Sequence, residues 1–513
     1  MDTKALRQKI LDLAIRGKLV PQDPSDEPAS VLLERIREQK KQMVKEGKLK
    51  AKDIKNDTII FVGEDNLHYE KFADGTAKCI EDEIPFELPE GWEWTRFLAI
   101  TINRDSERKP ISASQRTDVE KIYDYYGASG KIDKIDKYIF DEKLLLIGED
   151  GANLVTRSKP IAFFAEGKYW VNNHAHCIDS PDKSILQFIC FFINAISLEK
   201  YVTGSAQPKM TQDNMNSILV ALPPYKEQQL ISQQLDIVWA SIDKIEFEKE
   251  NVLKLVDNAK SKILDLATRG KLVPQDPNDE PASVLLERIR VEKEELIKQG
   301  KIKHDKKESV IFKGDDNSYY EKIGGEIRCI DEEIPFKIPA SWTFVRLKHI
   351  STIIGGGTPK TNTPDYWNGD IPWLTPADFS GYNDMYISGG ERYITLEGLN
   401  SSSAQLLPAN TILYSSRAPI GYVAIAKNIV STNQGFKSIV PFNTNMSVYL
   451  YYCLKARTDN IIMRATGTTF KEISGSEMGE TIISLPPLND QERVCLKILQ
   501  LFQEISTIEK SLS

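Results

Sequence analysis

Leu222-Pro223-Pro224 and Leu485-Pro486-Pro487 have the outline of the motif with which amino-methyltransferases hold a target amine. That motif needs Asn, Asp or Ser ahead of the prolines to engage the amine, and leucine has no such atom, so methyl transfer is excluded at both places. Gly355-Gly356-Gly357-Thr358-Pro359-Lys360 is glycine-rich enough for a phosphate loop. It lacks the GxxxxGK[ST] spacing, and Pro359 removes a backbone donor, so no ATPase follows. Pro181–Asp182 and Pro364–Asp365 could each open a nuclease motif. Neither is followed within about thirty residues by the Asp/Glu-x-Lys that would hold a metal ion and activate water. His174 and His176 fall two apart on an expected strand, which puts them on one face beside Cys177. The surrounding segment offers no further ligand pair, so hydrogen-bonded histidines are expected and no metal.

With no catalytic motif intact, side chains whose type could address base edges or phosphates are noted as candidates by type alone. In one stretch these are Arg157, Lys159, Asn172, Asn173, His174 and Lys209, the last closing the loop GSAQPK. In another they are Thr358, Lys360, Arg417, Asn433, Gln434, Lys437 and Lys471, with Lys471 of GTTFK answering Lys209. Asn433 and Gln434 form the amide pair that adenine readout uses, though satisfying a buried turn explains them equally well. Arg104, Arg108, Lys109 and Arg116 form a basic cluster suited to phosphate. Against a nucleic-acid partner stands a net charge of −8. Residues 96–222 carry 16 basic and 16 acidic side chains and residues 346–487 carry 11 and 10, so the acidic surplus lies elsewhere. Neither stretch carries the positive surplus usual in a nucleic-acid binder.

What must position these residues is a duplicated frame. The 29 residues from Lys9 to Arg37 recur from Lys262 to Arg290, with only Ile15/Thr268 and Ser25/Asn278 differing. EDEIPFELPEGWEWTR (81–96) answers DEEIPFKIPASWTFVR (331–346), and SILVALPPYKEQQL (217–230) answers TIISLPPLNDQERV (481–494). Between these landmarks the copies share almost nothing, so each holds a divergent insert rich in short β-like runs, with helices expected near Ser184–Glu199 and Ser447–Met463. Ser25 or Asp26 is the expected N-cap of a charged helix stopped at Gly47, its partner spans 281–299, and a small hairpin follows each.

Hydrophobic positions Ile231, Leu235, Val238, Ile242, Ile245, Val252, Val256, Ala259, Ile263 and Leu266 keep a heptad spacing, broken where Lys249 takes a stripe position. That predicts a coiled-coil helix of about 50 Å, ended by Gly270 and Pro274. The C-terminus starts the pattern again at Val494, Ile498, Leu501, Ile505, Ile508 and Leu512, and the N-terminus opens in mid-pattern with Leu6, Ile10 and Leu13. Joining Ser513 to Met1 would regenerate a helix of 34 residues, against 37 in 225–261. A circularly permuted duplication, with two long helices antiparallel about a pseudo-twofold axis, is the expected architecture. The fold class expected is α/β (α+β), with two globular domains joined by those helices.

Taken together, GKLVPQDPxDEPASVLLERIR, EIPFxLPxGW, LPPxxEQ, GGGTPKTNTPDYWNGDIPW (355–373), STNQGFKSI (431–439) and YGASGKI…LIGEDGANLVTRSKPIAF…VNNHAHCI (126–178) resemble the specificity subunit of type I restriction–modification enzymes. The resemblance runs over essentially the whole chain. It implies target-recognition domains at 91–222 and 341–487 and conserved segments at 1–37, 223–290 and 488–513, with a charged helix and hairpin at 38–90 and 291–340. It also implies double-stranded DNA, two modification subunits and restriction subunits as partners. The chain itself would then be non-catalytic, with S-adenosylmethionine, ATP and Mg used by those partners. The competing readings are a coiled-coil adaptor without DNA readout and a fused restriction–modification enzyme, the latter lacking a cofactor loop and an Asn/Asp-Pro-Pro-Tyr motif. No apolar run approaches the roughly 20 residues that cross a bilayer, and the start MDTKALRQK is too polar for a signal peptide, so a cytoplasmic location is expected. Six cysteines without a CxxC pair suit small core residues.

Overall fold

The two repeated motifs that flank each insert form one structural joint. In the computed structural model, which describes residues 2–117, 119–204, 207–302, 308–467 and 471–512, Glu93–Arg96 pairs antiparallel with Leu219–Leu222. Thr343–Arg346 pairs in the same way with Ile482–Leu485. Beside each strand pair a buried tryptophan locks the joint: Trp92 Nε1 donates to Glu227 at 2.8 Å and Trp342 Nε1 to Asp490 at 2.8 Å. The glutamine of each LPPxxEQ or LPPxxDQ run donates to a carbonyl of its own prolines, Gln228 to Pro223 at 2.8 Å and Gln491 to Pro486 at 3.0 Å. LPP thus serves a chain reversal into a helix, and both ends of an insert leave the frame side by side.

The chain divides into two compact units, Met1–Glu248 and Lys249–Ser513. A helix of 44 residues, Tyr225–Thr268, is continuous through the division. In the first unit Arg7 of the helix Thr3–Ile15 reaches it: Nη2 bonds Glu246 at 3.2 Å and the guanidinium covers the Trp239 ring at 5.2 Å. In the second, Lys260 pairs with Glu509 of the helix Leu488–Leu512 at 2.7 Å. The heptad stripe is buried at Ile231, Leu235, Ile242 and Val256, but Ile245 and Ala259 are exposed. Near the end burial passes to Leu264 and Ala267, as a 3.6-residue turn drifting against a 3.5 repeat requires. The expected junction of Met1 with Ser513 lies outside the described residues.

Pro28 is the N-cap of Ala29–Lys45, not Ser25 or Asp26. Asp23 takes both the amide and the hydroxyl of Ser25 into a turn, and the Ala29 amide bonds the carbonyl of Gly91 at 2.8 Å. Gly47, at φ 71°, follows the helix end, and the partner helix is Ala282–Lys298. The expected single hairpins are three-stranded meanders, Ile59–Val62, His68–Lys71 and Ala77–Cys79 in one unit and Ser309–Lys313, Tyr319–Ile323 and Glu326–Cys329 in the other. Each is fastened to the joint by an arginine. Arg96 binds Glu70 and Glu83, and Arg346 binds Glu321 and Glu333, at 2.7–2.8 Å.

The inserts share no sequence but share a fold. In the first unit the strand order is Ala162–Ala165, Leu144–Gly148, Ala175–Asp179, Ile102–Asn103, all antiparallel. In the second it is Ile420–Ala426, Ile412–Ser416, Lys437–Pro441, Ser351–Gly355, antiparallel as well, with Tyr386–Ile387 added in parallel at the edge. A second sheet accompanies each, four-stranded in the first unit and three-stranded in the second, and in both an inner strand has a parallel neighbour: Tyr123–Gly127 with Lys168–Val171, and Trp367–Leu374 with Ser431–Thr432. Helices Leu186–Ala195 and Ser447–Arg464 are rich in buried apolar side chains.

Candidate nucleic-acid interface

Common hydrogen bonds align the two inserts residue by residue. Asn172 Oδ1 accepts the amide of His174 at 2.8 Å, and Asn433 Oδ1 accepts that of Gly435 at 2.8 Å. The next bonds also correspond: Glu149 N donates to the carbonyl of His174, and Ser416 N to that of Gly435. Asn172 is therefore the counterpart of Asn433, Asn173 of Gln434, and His176 of Lys437. These asparagines spend their side-chain oxygen on a turn ahead of a core strand, where an unsatisfied amide would be costly. Asn173 and Gln434 are the exposed members.

The loops align the same way, and the alignment moves one residue. Lys209 bridges Thr203 and Asp150, whereas Glu472 bridges Thr466 and Arg417. Glu472, not Lys471, is the structural counterpart of Lys209. Sequence matching slipped because both loops end on lysine, and part of each loop, residues 205–206 and 468–470, lies outside the described residues. The clamp holding each loop has reversed charge: Lys209 Nζ meets Glu149 at 3.1 Å, and Lys437 Nζ meets Glu472 at 3.0 Å. Lys437 also reaches Ser416 Oγ at 3.3 Å.

The remaining nominated residues separate into anchored and free. Arg157, in the left-handed region at φ 50°, donates to the carbonyls of Ile193 at 3.1 Å and Asn194 at 2.9 Å and to that of Ile196, closing the end of the helix Leu186–Ala195. Burial pushes its guanidinium below its ordinary pKa. Arg417 is half-exposed and 3.9 Å from Glu472. Lys159, Asn173, His174, Lys360 and Lys471 are exposed, with His174 Nδ1 facing Asp150 at 2.7 Å. Thr358 donates to Gln434, which brings the glycine-rich loop and the STNQGF turn together. That loop packs backbone on backbone: a Cβ on Gly356 would lie 2.0 Å from the Asn433 carbonyl, and Gly357 N already donates to Thr432 at 2.9 Å.

The two histidines do not share a face. His174 sits in the turn, and the strand begins at Ala175. His176 is buried, with Nδ1 2.6 Å from Asp105 and Nε2 3.0 Å from the Met210 carbonyl. Asp105, Glu149 and His176 place ligand-type atoms within 4.8 Å of one another, a convergence that sequence spacing did not reveal. Arg108 lies among them, 2.7 Å from Glu149 and 3.2 Å from Asp105. Burial opposes ionisation of both acids, but the neighbouring cationic and hydrogen-bonding groups outweigh it and lower both pKa values. Chemically this is a hydrogen-bonded ion cluster that ties the loop ending at Met210 to the sheet. The rest of the basic cluster is similarly engaged, Arg104 by Glu107, Glu142 and Asp179 and Arg116 by Asp133, which leaves Lys109 exposed.

Two readers of one fold, hung from duplicated joints and differing in their exposed side chains, match a family model described as the type I restriction modification DNA specificity domain, at residues 89–255 and again at 339–513. The chain belongs to that family. The EcoAI specificity subunit of Escherichia coli is 27% identical across 99% of this chain and 90% of its own. The MjaIX specificity subunit of Methanocaldococcus jannaschii is 43% identical, over 33% of this chain and 39% of its own. A solved chain described for complex assembly and conformational transition of the type I R-M system aligns over 83% of this chain and 94% of its own, at 16% identity and a TM-score of 0.49. Family membership accounts for the motif survey, since a specificity subunit is the non-catalytic member of its enzyme.

Proposed function

We propose that this chain reads a split, asymmetric DNA site, one half by residues 91–222 and the other by 341–487, and directs partner subunits to it. The observation that carries this reading is the residue-by-residue match of Asn172 with Asn433 and Lys209 with Glu472. One scaffold is kept, while the exposed residues around it differ. Two different readouts on one scaffold suit two different half-sites. The near-neutral balance of the inserts, 16 basic against 16 acidic side chains over 96–222 and 11 against 10 over 346–487, favours a complex in which partners supply much of the phosphate contact. Those partners are two modification subunits and restriction subunits, and S-adenosylmethionine, ATP and Mg act in them, not here. Among the described residues no helix is long and apolar enough to cross a membrane. We place the complex in the cytoplasm, where the DNA is.

Exchange of residues 96–222 for the matching region of a relative tests the reading. Methylation mapping with the modification partner should show one half-site changed and the other kept. A change in both halves, or in neither, would refute independent readers. Gel shifts with the partner present, on DNA that the map identifies, separate DNA readout from a purely structural adaptor.

A further inference from the structure

In the second reader an exposed arginine lies over two indoles and, among the described residues, pairs with no carboxylate. Arg392 lies directly across the small sheet from Trp373, and its Cζ sits 3.7 Å from the centroid of the Trp367 ring and 5.2 Å from that of Trp373. The two indoles meet edge to face, 5.1 Å apart at 83°. A local irregularity accompanies this arrangement: the register of the strand Trp367–Leu374 shifts between Trp367 and Ile371, with Asn368 at φ 61°. Gly369 within it passes so close to the neighbouring strand that a Cβ would lie 2.6 Å from the Ile394 carbonyl.

The same indoles hold the glycine-rich loop. Trp367 Nε1 donates to the Lys360 carbonyl at 3.1 Å, and Trp373 Nε1 to the Gly357 carbonyl at 2.9 Å. Since Thr358 of that loop is bonded to Gln434, the platform links Arg392 with Lys360, Thr358 and Gln434. Other arginines that lie over rings have carboxylate partners: Arg7 with Glu246, Arg16 with Asp12, Arg104 with Glu107, Arg116 with Asp133 and Arg269 with Asp265. Arg457, the other exception, is half-buried. Arg392 is exposed and, among the described residues, has no carboxylate or carbonyl partner.

We propose that Arg392 is a DNA-contacting residue of the second reader, presenting a preoriented guanidinium fork to a pair of acceptors on the DNA. This rests on the reading that residues 341–487 recognise one half-site. A guanidinium seated over an indole has lost much of its rotamer freedom before binding, so little more is lost when the fork engages. Its planar donors match either O6 and N7 of guanine or two oxygens of a phosphate.

The experiment uses the full chain with its modification partner, fluorescence anisotropy on a duplex carrying the mapped site over a KCl series, and methylation mapping of R392A, R392K and W367L. R392A should weaken binding about tenfold or more, and R392K should fail to restore it, because an ammonium is not a fork. Trp367→Leu keeps the arginine but removes its platform, and should weaken binding in the same direction by less. If the acceptors are a guanine edge, the map relaxes at one position of the second half-site while the first stays fixed. If they are phosphate oxygens, the half-site is unchanged, all sequences lose affinity alike, and the salt slope falls by about 1. R392A that binds and methylates like wild type overturns the assignment. Failure of the wild-type complex to bind any site would instead sink the functional reading on which it rests.

Discussion

Glu321→Gln tests whether the joint that fastens the small meander to the second reader depends on a buried ion pair. Arg346 donates from Nε to Oε1 at 3.0 Å and from Nη2 to Oε2 at 2.8 Å, and the two side chains are only 4% and 1% exposed. Ser309 Oγ adds a bond at 2.6 Å and Arg328 Nη2 another at 2.7 Å. Burial raises the cost of ionising Glu321, but the bonds from Arg346, Ser309 and Arg328 outweigh it and hold the pKa down to about 2 from an ordinary 4.5. That depression corresponds to about 3 kcal/mol of folded-state stabilisation. Because the folded pKa is the lower one, the stabilisation is complete above about pH 4.5 and disappears as pH falls towards about 2. Glutamine keeps the shape but turns one acceptor into a donor, and in either amide orientation that donor faces an N–H of Arg346. Arg346 then retains Glu333 at 2.7 Å and the Glu480 carbonyl at 3.0 Å, so the loss at neutral pH should lie near 2–3 kcal/mol, towards the low end of what breaking a buried pair costs. Urea unfolding, with hydrogen exchange of residues 308–330 as the local probe, measures it at pH 7 and at pH 3. The gap between variant and wild type should narrow at the lower pH. A loss under 1 kcal/mol at pH 7, or a gap that ignores pH, would refute the reasoning.

The two other predictions concern the readers. Asn172→Ala and Asn433→Ala each remove the acceptor that closes a turn and should destabilise their unit by about 1–2 kcal/mol in calorimetry, whereas the aspartate variants, which keep the acceptor, should lose less. Lys437→Glu should loosen the loop that ends at Glu472, and adding Glu472→Lys should restore it. With the partners 15% and 41% exposed, a double-mutant cycle should give a coupling of about 1 kcal/mol or less, and zero coupling would remove the clamp from the account.

The frame was legible because it is written twice: EIPFxLPxGW and LPPxxEQ recur, and any pair of recurring landmarks that brackets a variable segment must be structural. The long helix was legible through its periodicity, although Ile245 and Ala259 show that a heptad stripe overstates burial. In the readers, residue type identified cations but not their occupation. Arg157 caps a helix 36 to 39 residues away, and Arg108 is paired with an acid 41 residues away, relations that no local pattern contains. Arg392 was missed for the mirror-image reason. Nothing about an isolated arginine before YIT marks it, and only the cross-strand register with Trp373 and the bulge at Asn368 make it a presented group. The convergence of Asp105, Glu149 and His176 likewise joins a 3-10 turn, the residue after one strand and the start of another, separated by 27 or more residues.

The reversed polarity of the loop clamp explains how the readers could diverge so far on one fold. A pair such as Lys209 with Glu149 constrains position through the product of two charges, so the loop residue can change sign when an opposite charge comes from elsewhere: Lys437, which meets Glu472, stands where the first reader has His176, and Ser416 stands in place of Glu149. The backbone bonds that set loop position are indifferent to both: Met210 N donates to Glu149 O at 2.8 Å, and Ile473 N to Ser416 O at 3.1 Å. Position is thus maintained by the main chain, while the side chains around it are free to vary. A change of exposed side chains then alters what a reader recognises without altering where its loops stand, which is the property a protein needs if its DNA target is to change while its frame stays fixed.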